Sequence, residues 1–243
     1  MNPTPRTAIV TGSAHGIGRG ITLRLLRDGW SVLALDVDTS GLAALAREQA
    51  SDRLDVMTAD AGNEGDVERA LQRVRGRTDR LDGLVCNAGI MIRKPLDALS
   101  LAEWNRVLAV NLTGPFLLAR AATPLLRAGG GAIVTIGSTR AHMSEPDTES
   151  YAASKGGLLA LTHALGVSLG PAIRANCISP GWIDVAGEAL RPEDHTQHPA
   201  GRVGRVEDVA ALAVWLLGGE SGFVTGSEFV VDGGMTRRML YAE

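Results

Sequence analysis

The segment TAIVTGSAHGIG, residues 7–18, joins a short run of β-branched residues to a glycine-rich turn, and helical periodicity follows at 18–28. A strand, a glycine-rich turn and a helix in this order are typical of the first unit of an open α/β sheet. Gly12, Gly16 and Gly18 allow a tight turn and let a pyrophosphate approach the amides at the positive end of the helix. The pattern predicts a nucleotide site, although turns without a ligand also need glycine.

Short apolar runs alternate with longer amphipathic stretches along the whole chain. The predicted strands are 7–10, 31–36, 55–59, 83–86, 132–136, 174–178 and 228–231. The predicted helices include 18–28, 41–50, 66–75, 102–126, 151–169 and 206–217. Several strands are apolar throughout, as strands of a parallel sheet covered by helices on both faces must be. We therefore predict an α/β fold with a mainly seven-stranded parallel sheet.

The composition is that of a globular protein with an ample core. Of 243 residues, 45% are hydrophobic and 30 are glycine, and the formal net charge is −3. No linker, repeat or low-complexity tract divides the chain, so we predict one domain over residues 1–243. The least regular stretch is 184–204, which we expect to form a short lid.

The charge pattern and the cysteines narrow the class of protein. Without a concentrated basic face, a nucleic-acid or membrane-surface partner is not expected. No segment has the character of a secretory signal or a membrane span, which predicts a cytoplasmic protein. Cys86 and Cys177 lie in apolar runs and are expected to be buried thiols. No cluster of Cys, His and carboxylates has metal-ligand spacing, so no metal is predicted.

Asp36 ends the second predicted strand, 18 residues beyond Gly18. An acidic side chain there can accept hydrogen bonds from the ribose hydroxyls of adenosine; an ordinary solvated acid is the alternative. Its carboxylate would repel a 2′-phosphate, and neither Val37 nor His15 offers a fixed positive charge for one. We therefore expect NAD as the cofactor in preference to NADP.

Tyr151 and Lys155 stand four residues apart in a predicted helix, so their side chains share one face. A free tyrosine has a pKa of about 10, and a nearby ammonium favours the phenolate. The pair predicts a proton donor and acceptor, although the same spacing also arises by chance. The Ser138 hydroxyl is a candidate to hold a substrate oxygen, with a helix cap or a turn residue as the alternative.

Further motifs follow in order along the chain. They are G-x-x-x-G-x-G at Gly12, Gly16 and Gly18, then Asp60-Ala61, Asn87-Ala88-Gly89, Asn111, Ser138, Tyr151-Ala-Ala-Ser-Lys155, Pro180-Gly181, Thr225-Gly226 and Asp232-Gly233-Gly234. From residue 6 to residue 234 the chain resembles the short-chain dehydrogenase/reductases, in their shorter branch. Ala61 departs slightly from that pattern, because a larger aliphatic residue is more usual there.

The resemblance implies a doubly wound Rossmann-type fold and a catalytic set of Asn111, Ser138, Tyr151 and Lys155. Tyr151 would exchange a proton with the substrate oxygen, beside Ser138. Lys155 would bind the nicotinamide ribose, and Asn111 would hold a water that links Lys155 to solvent, unless it is simply a locally satisfied polar residue. The implied cofactor-binding residues are Gly12, Ser13, His15, Gly16, Ile17, Gly18, Asp36, Asp60, Ala61, Asn87, Ala88, Gly89, Tyr151, Lys155, Pro180, Gly181 and Ile183.

By the same resemblance, the substrate pocket is built from the segments after Gly89, after Ser138 and after Gly181. The residues expected there are Ser138, Tyr151, Met91, Ile92, His142, Met143, Glu145 and Trp182. For His142 a second acid/base role competes with that of a pocket wall or a surface histidine. A short lid leaves small polyols, sugars, hydroxy acids and cyclic ketones open as substrates.

Val185 is a departure from the family pattern. Many NAD-binding members have threonine at this place in Pro-Gly-x-Val/Ile-x-Thr, where its hydroxyl and the nearby backbone hold the nicotinamide carboxamide. Val185 lacks that hydroxyl, whereas the backbone of Ile183 remains available for the amide. The departure concerns lid closure and nicotinamide affinity more than hydride transfer.

These features predict an NAD(H)-dependent oxidoreductase that interconverts a secondary alcohol and a ketone, with Tyr151 as general acid/base. An NADP(H)-dependent carbonyl or 3-oxoacyl reductase is one alternative, against which Asp36 argues. A protein that binds NAD(H) without turnover is another; Val185 motivates it, and the set of Ser138, Tyr151 and Lys155 argues against it. Family members are commonly tetramers, so we expect a homotetramer acting on a small-molecule alcohol or ketone.

Overall fold

The computed structural model describes residues 5–187 and 189–239, and its centre is one parallel sheet of seven strands in the order β3-β2-β1-β4-β5-β6-β9. These strands are β1 Thr7–Thr11, β2 Ser31–Asp36, β3 Leu54–Thr58, β4 Gly83–Cys86, β5 Ala132–Ile136, β6 Arg174–Pro180 and β9 Glu228–Val231. All seven predicted strands are present, within a residue or two of the expected ends. The predicted seven-stranded parallel sheet is therefore confirmed.

Helices cover both faces of this sheet. They are α1 Gly16–Arg27, α2 Thr39–Gln49, α3 Glu64–Arg75, α4 Leu101–Leu108, α5 Gly114–Gly129, α6 Glu149–Leu169, α7 Pro192–Thr196 and α8 Val206–Leu217. Alternate residues of β1 enter two separate cores: Val10 packs in the cluster that contains residues of α1 and α8, and Ile9 in the cluster that contains residues of α3 and α5. Because both faces are buried, the strands carry continuous apolar runs, and the doubly wound, Rossmann-type arrangement is confirmed.

The strand order reverses at β1, which has β2 on one side and β4 on the other. A crevice forms outside the carboxyl ends of strands at such a point. Here the two ends are tied together, because the Thr11 hydroxyl oxygen accepts the backbone N–H groups of Asn87 and Ala88 at 3.0 Å each. The Asn87 amide also donates to the Thr11 carbonyl at 2.9 Å.

The predicted single helix at 102–126 is wrong in one respect: α4 and α5 are separated by a π-helical turn, Ala109–Thr113. Pro115 supplies a reason, since it has no N–H to donate to the Asn111 carbonyl four residues earlier. Gly114 supplies another, because a Cβ there would lie 2.7 Å from the Ala61 carbonyl oxygen. The extra residue in this turn places Asn111 in the protein interior.

The stretch 184–204, expected to be an irregular lid, contains more regular structure than predicted. Two short strands, β7 Ile183–Asp184 and β8 Gly204–Arg205, pair in parallel at its base, and α7 lies between them. The pairing holds the two ends of the segment together, with Ile183 opposite Gly204.

Across residues 5–187 and 189–239, no helix has both the length and the apolar character required to cross a bilayer. The same residues contain no group of three His, Cys, Asp or Glu side chains arranged to hold a metal ion. Cys86 and Cys177 are both free and buried, and burial raises the pKa of the Cys86 thiol to about 12.

Leu84→Ala tests the contribution of the central strand to stability. Leu84 lies in β4 with no exposed surface, so its loss should lower the free energy of unfolding by about 2–5 kcal/mol in urea titrations. Leu101→Ala is the matched control: the Leu101 side chain is 73% exposed, and the change should stay within about 0.5 kcal/mol. Equal effects of the two substitutions would contradict this account of the core.

Candidate active site

The glycine-rich turn lies at the carboxyl end of β1, where only glycine satisfies the geometry. Gly12 and Gly16 have φ values of +68° and +51°, which side chains rarely adopt. A Cβ on Gly12 would lie 2.6 Å from the Asn87 amide nitrogen, and a Cβ on Gly18 would lie 2.0 Å from the Gly12 carbonyl oxygen. The turn therefore brings α1 close against the ends of β1 and β4.

A cleft of about 620 Å³ opens over this turn. Its lining includes residues of the turn, of the ends of β2 and β4, and of the segment after β3: Thr11, Gly12, His15, Gly16, Ile17, Leu35, Asp36, Val37, Ala59, Asp60, Ala61, Asn87, Ala88 and Gly89. At the start of α1 no side chain caps the helix and no acidic residue lies in the first turn. The free N–H groups and helix dipole suit a pyrophosphate, so the residues present fit a dinucleotide.

Two acidic side chains stand at the β2 end of the cleft. The Asp36 carboxylate accepts the backbone N–H groups of Ala14 at 2.9 Å and Asp38 at 3.0 Å. Asp38 pairs with His15 at 2.6 Å, and this interaction, with N–H donors from Ser40 and Gly41, lowers the pKa of Asp38 to about 2. The His15 imidazole is therefore already paired with the Asp38 carboxylate.

Asp60 and Ala61 line the same cleft beyond β3. The Asp60 carboxylate pairs with Arg106 at 2.7 Å and accepts the Gly62 N–H at 2.9 Å. Of the predicted cofactor residues, Ser13 has the least accessible side chain. Its hydroxyl is buried and donates to the Val10 carbonyl at 2.8 Å, and its backbone N–H donates to the Leu35 carbonyl at 3.1 Å, so Ser13 does not line the cleft.

A second cavity, of about 200 Å³, is lined by three of the four predicted catalytic residues, without Asn111, and adjoins the cleft. Ser138, Tyr151 and Lys155 line it together with Pro180, Gly181 and Ile183. Four residues, Ile17, Asn87, Gly89 and Val185, line both spaces. The structure thus places the end of β5, the start of α6 and the segment after β6 around one cavity.

The surroundings of the Tyr151 phenol have opposing effects on its pKa. Burial raises the pKa above the usual value of 10, whereas the neighbouring Ser138 hydroxyl and the charge of Arg140 lower it. Arg140 is a cation that the sequence did not indicate for this role, and the predicted effect of Lys155 on the phenol stays a prediction. The Lys155 ammonium lies 5.5 Å from the centre of the Tyr151 ring.

Lys155 is 3% exposed and donates to the Ile136 carbonyl at 2.7 Å. Burial lowers the pKa of its ammonium from 10.5 to about 8, because the charged form loses its hydration. A Cβ on Gly89 would lie 3.4 Å from the Lys155 nitrogen and 3.5 Å from the Asn111 side-chain oxygen. Glycine at this position keeps the space between those two groups open.

Asn111 anchors the loop that follows β4 to α6. Its side-chain oxygen accepts the Ile90 N–H at 2.8 Å, and its amide donates to the Ile90 carbonyl at 2.9 Å and to the Ser154 hydroxyl at 3.0 Å. The side chain is thus satisfied by the protein, and the predicted water beside Asn111 stays a prediction.

The predicted substrate residues divide into an anchored and an exposed group. His142 contacts the Glu228 carboxylate at 2.8 Å, and the Ser179 hydroxyl donates to the same carboxylate at 2.5 Å, so His142 ties its loop to β9. Trp182 packs near His198 at 6.2 Å between ring centres. Met91 and Met143 remain about half exposed, and Glu145 pairs with Arg93 and Arg140.

Two arginines near the site escaped the sequence motifs. Arg106 pairs with Asp60, which is distant in sequence, and Arg140 pairs with the nearby Glu145; no motif marks either arginine. Val185 was noticed only for its missing hydroxyl, whereas the structure packs it against Gly16, where a Cβ would lie 3.3 Å from its side chain.

Comparison with known proteins agrees with this architecture. A family model described as enoyl-(acyl carrier protein) reductase matches residues 12–236. An uncharacterised oxidoreductase of Thermotoga maritima is 44% identical over 98% of both chains, and a D-threitol dehydrogenase of Mycolicibacterium smegmatis is 33% identical, covering 95% of this chain and 93% of that one.

The structure of an apo SCOR enzyme from Clostridium thermocellum superposes with a TM-score of 0.92 at 39% identity, covering 99% of this chain and 96% of the other. A solved structure from Brucella melitensis described as a short-chain dehydrogenase/reductase, glucose/ribitol dehydrogenase, has a TM-score of 0.89 at 34% identity over 97% of both chains. With these matches and the seven-stranded fold, the chain belongs to the short-chain dehydrogenase/reductase family of oxidoreductases.

Proposed function

We propose that this protein is an NAD(H)-dependent oxidoreductase that interconverts a secondary alcohol and a ketone. The observation that carries the proposal is the single cavity lined by Ser138, Tyr151 and Lys155, which shares four lining residues with the dinucleotide cleft. The candidate proton-transfer residue, Tyr151, would therefore lie next to a cofactor that transfers hydride. The D-threitol dehydrogenase relative is named for a polyol, which has secondary alcohols.

A bound nicotinamide supplies the acceptor or donor of hydride. The cofactor would be held by the turn from Gly12 to Gly18, by Asp36, by Asp60 and Ala61, by Asn87 to Gly89, and by the Pro180, Gly181 and Ile183 backbone. Lys155 would hold the nicotinamide ribose. These roles rest on the fit of the cleft and on the family resemblance.

Tyr151 performs the proton transfer at its phenolic oxygen. In the oxidative direction the alcohol O–H bond breaks and its proton passes to the phenolate, while the carbinol C–H bond gives up hydride and a carbonyl forms. In the reductive direction the phenol donates its proton to the ketone oxygen. Ser138 donates a hydrogen bond to that oxygen and stabilises the charge developing on it.

The charges at the end of β2 support NAD over NADP. The Asp36 carboxylate lines the cleft at the end of β2, and the nearby His15, which also lines it, is already paired with Asp38. A phosphate dianion there would meet repulsion without a free fixed cation.

The rival function, binding of NAD(H) without turnover, has one supporting observation. Val185 lines both cavities and packs on Gly16, so an apolar side chain occupies the place where relatives supply a hydroxyl. Turnover of any alcohol or ketone by this protein excludes that function. The homotetramer, the cytoplasmic location, the single domain and the lid role of 184–204 stay predictions.

Tyr151→Phe tests the mechanism. We expect NAD reduction or NADH oxidation to fall at least about 100-fold, because the general acid/base is lost, while NADH binding followed by fluorescence is retained. The measurement uses whichever sugar, polyol, hydroxy acid or cyclic alcohol a screen selects. Ser150→Ala is the control on the same helix, since the Ser150 hydroxyl is buried and has no hydrogen-bond partner in the described structure. Parental rates in Tyr151→Phe would refute the mechanism.

Asp36→Asn tests the cofactor choice without changing the size of the side chain. The parent should bind NADH more tightly than NADPH, and the substitution should reduce that ratio by about tenfold or more, because repulsion of the 2′-phosphate is removed. Asp52→Asn changes the net charge equally on the exposed loop before β3 and should leave the ratio unchanged. Tighter binding of NADPH by the parent would reverse the assignment.

Lys155→Met tests the cost of burying the ammonium. With a folded pKa of about 8 and an unfolded pKa near 10.5, the unfolded chain holds the proton more strongly between these pH values. Lys155 therefore destabilises the fold below pH 8, and the penalty disappears as pH rises to 10.5. Urea titration at pH 7 should show the variant more stable by about 1–3 kcal/mol, with a smaller gain at pH 9.5. A gain that grows with pH would contradict this sign.

A further inference from the structure

The 3₁₀ turn Thr139–Ala141 carries an arginine, Arg140, between Ser138 and the helix that contains Tyr151. The Arg140 backbone N–H donates to the Ser138 hydroxyl at 3.1 Å, so this residue begins directly beside the catalytic serine. The charge of Arg140 also reaches the Tyr151 phenol. The Arg140 backbone is therefore bonded to the candidate catalytic serine, and its charge acts on the candidate catalytic tyrosine.

Arg140 belongs to a cluster of two cations and one anion. Arg140 and Arg93 both pair with the Glu145 carboxylate, and Arg93 comes from the loop that follows β4. The cluster thus joins the loop after β4 to the segment after Ser138. Because two guanidinium groups share one carboxylate, the cluster has a net charge of +1.

The Arg140 guanidinium has hydrogen-bonding capacity that the described chain leaves unused. Its Nη2 binds Glu145, whereas its Nη1 is buried and has no hydrogen-bond partner among the described residues. The whole side chain is 23% exposed, compared with 51% for Arg93. A buried charged donor without a partner is costly, and an anionic acceptor recovers the most energy from it.

We propose that Arg140 is a specificity-determining residue that binds a carboxylate of the substrate, so that the enzyme acts on monoanionic hydroxy acids and keto acids in preference to neutral polyols and ketones. This inference rests on the proposed alcohol–ketone function. The carboxylate is unchanged in the reaction: hydride leaves the carbinol carbon of the same molecule and the hydroxyl proton passes to Tyr151. One net positive charge and one open donor match a monoanion better than a phosphate dianion, which needs more cationic partners.

The binding arm of the test uses ketones in the presence of NAD⁺, where no hydride is available and no turnover interferes. Calorimetry compares 4-oxocyclohexanecarboxylate with 4-oxocyclohexanecarboxamide, and 5-keto-D-gluconate with L-sorbose, so that each pair differs mainly in charge. We expect the carboxylate of at least one pair to bind at least tenfold more tightly than its neutral partner. Arg140→Met should abolish that preference, and Arg140→Lys should restore part of it.

Arg93→Met is the matched control, because it removes the same charge from the same cluster at the more exposed position. It should change the carboxylate preference less than threefold. In the kinetic arm, Arg140→Met should raise KM for the hydroxy acid and lower the ratio of kcat/KM between hydroxy acid and amide at least tenfold. A loss of charge beside Tyr151 alone would slow both substrates equally and leave the ratio unchanged.

The outcomes separate the two proposals. The role of Arg140 is overturned if neither pair shows a carboxylate preference, or if Arg140→Met leaves the preference intact. Turnover of neutral alcohols would still support the oxidoreductase function in that case. If no alcohol or ketone reacts with NAD(H) or NADP(H), the proposed function fails, and the carboxylate binding is still decided by calorimetry. Circular dichroism and thermal melting of Arg140→Met and Arg140→Lys confirm that each variant is folded before these comparisons.

Discussion

The junction between the ends of β1 and β4 is the constraint on which the rest of the site depends. Thr11 accepts two backbone N–H groups from the segment after β4, and Asn87 returns its amide to the Thr11 and Gly12 carbonyls. These bonds hold the two strand ends together at the place where the strand order reverses. Gly12 and Gly18 are then the residues that let α1 approach, because any Cβ there would collide with this junction. The dinucleotide cleft is the space that remains above it.

A second junction connects this cleft to the catalytic helix. Asn111 binds the backbone of Ile90 on one side and the hydroxyl of Ser154 on the other, and Ser154 in turn donates to the Tyr151 carbonyl at 2.7 Å. The π-helical turn is needed to aim Asn111 inward, and Pro115 favours that turn by removing one helical hydrogen bond. The loop after β4 and the start of α6 are therefore connected through Asn111, which fixes the spacing between the cofactor cleft and Tyr151.

Burial, more than ion pairing, sets the pKa values of the two titratable side chains in the catalytic cavity. Burial lowers the pKa of Lys155 and raises the pKa of Tyr151, so both groups are pushed towards their neutral forms. The influences that lower the pKa of the phenol come from the Ser138 hydroxyl and the charge of Arg140. The charge of Arg140 thereby connects substrate recognition with the state of the phenol, since an anion bound to it would weaken its effect on Tyr151.

Local patterns in the sequence were sufficient for the strands, for most helices and for the family, because apolar periodicity, glycine spacing and the Tyr-x-x-x-Lys pair are encoded over short distances. The break between α4 and α5 was missed although Pro115 is a local signal for it; the contacts that accompany it, of Gly114 with Ala61 and of Asn111 with Ile90, join residues far apart in the chain. The partners of Arg106 and His142 were missed because they too are far away in sequence. Sequence alone determined which residues are candidates for proton transfer and for holding the cofactor that transfers hydride. Tertiary structure decided which charges surround them, because burial and long-range ion pairs exist only once the strands and loops have packed.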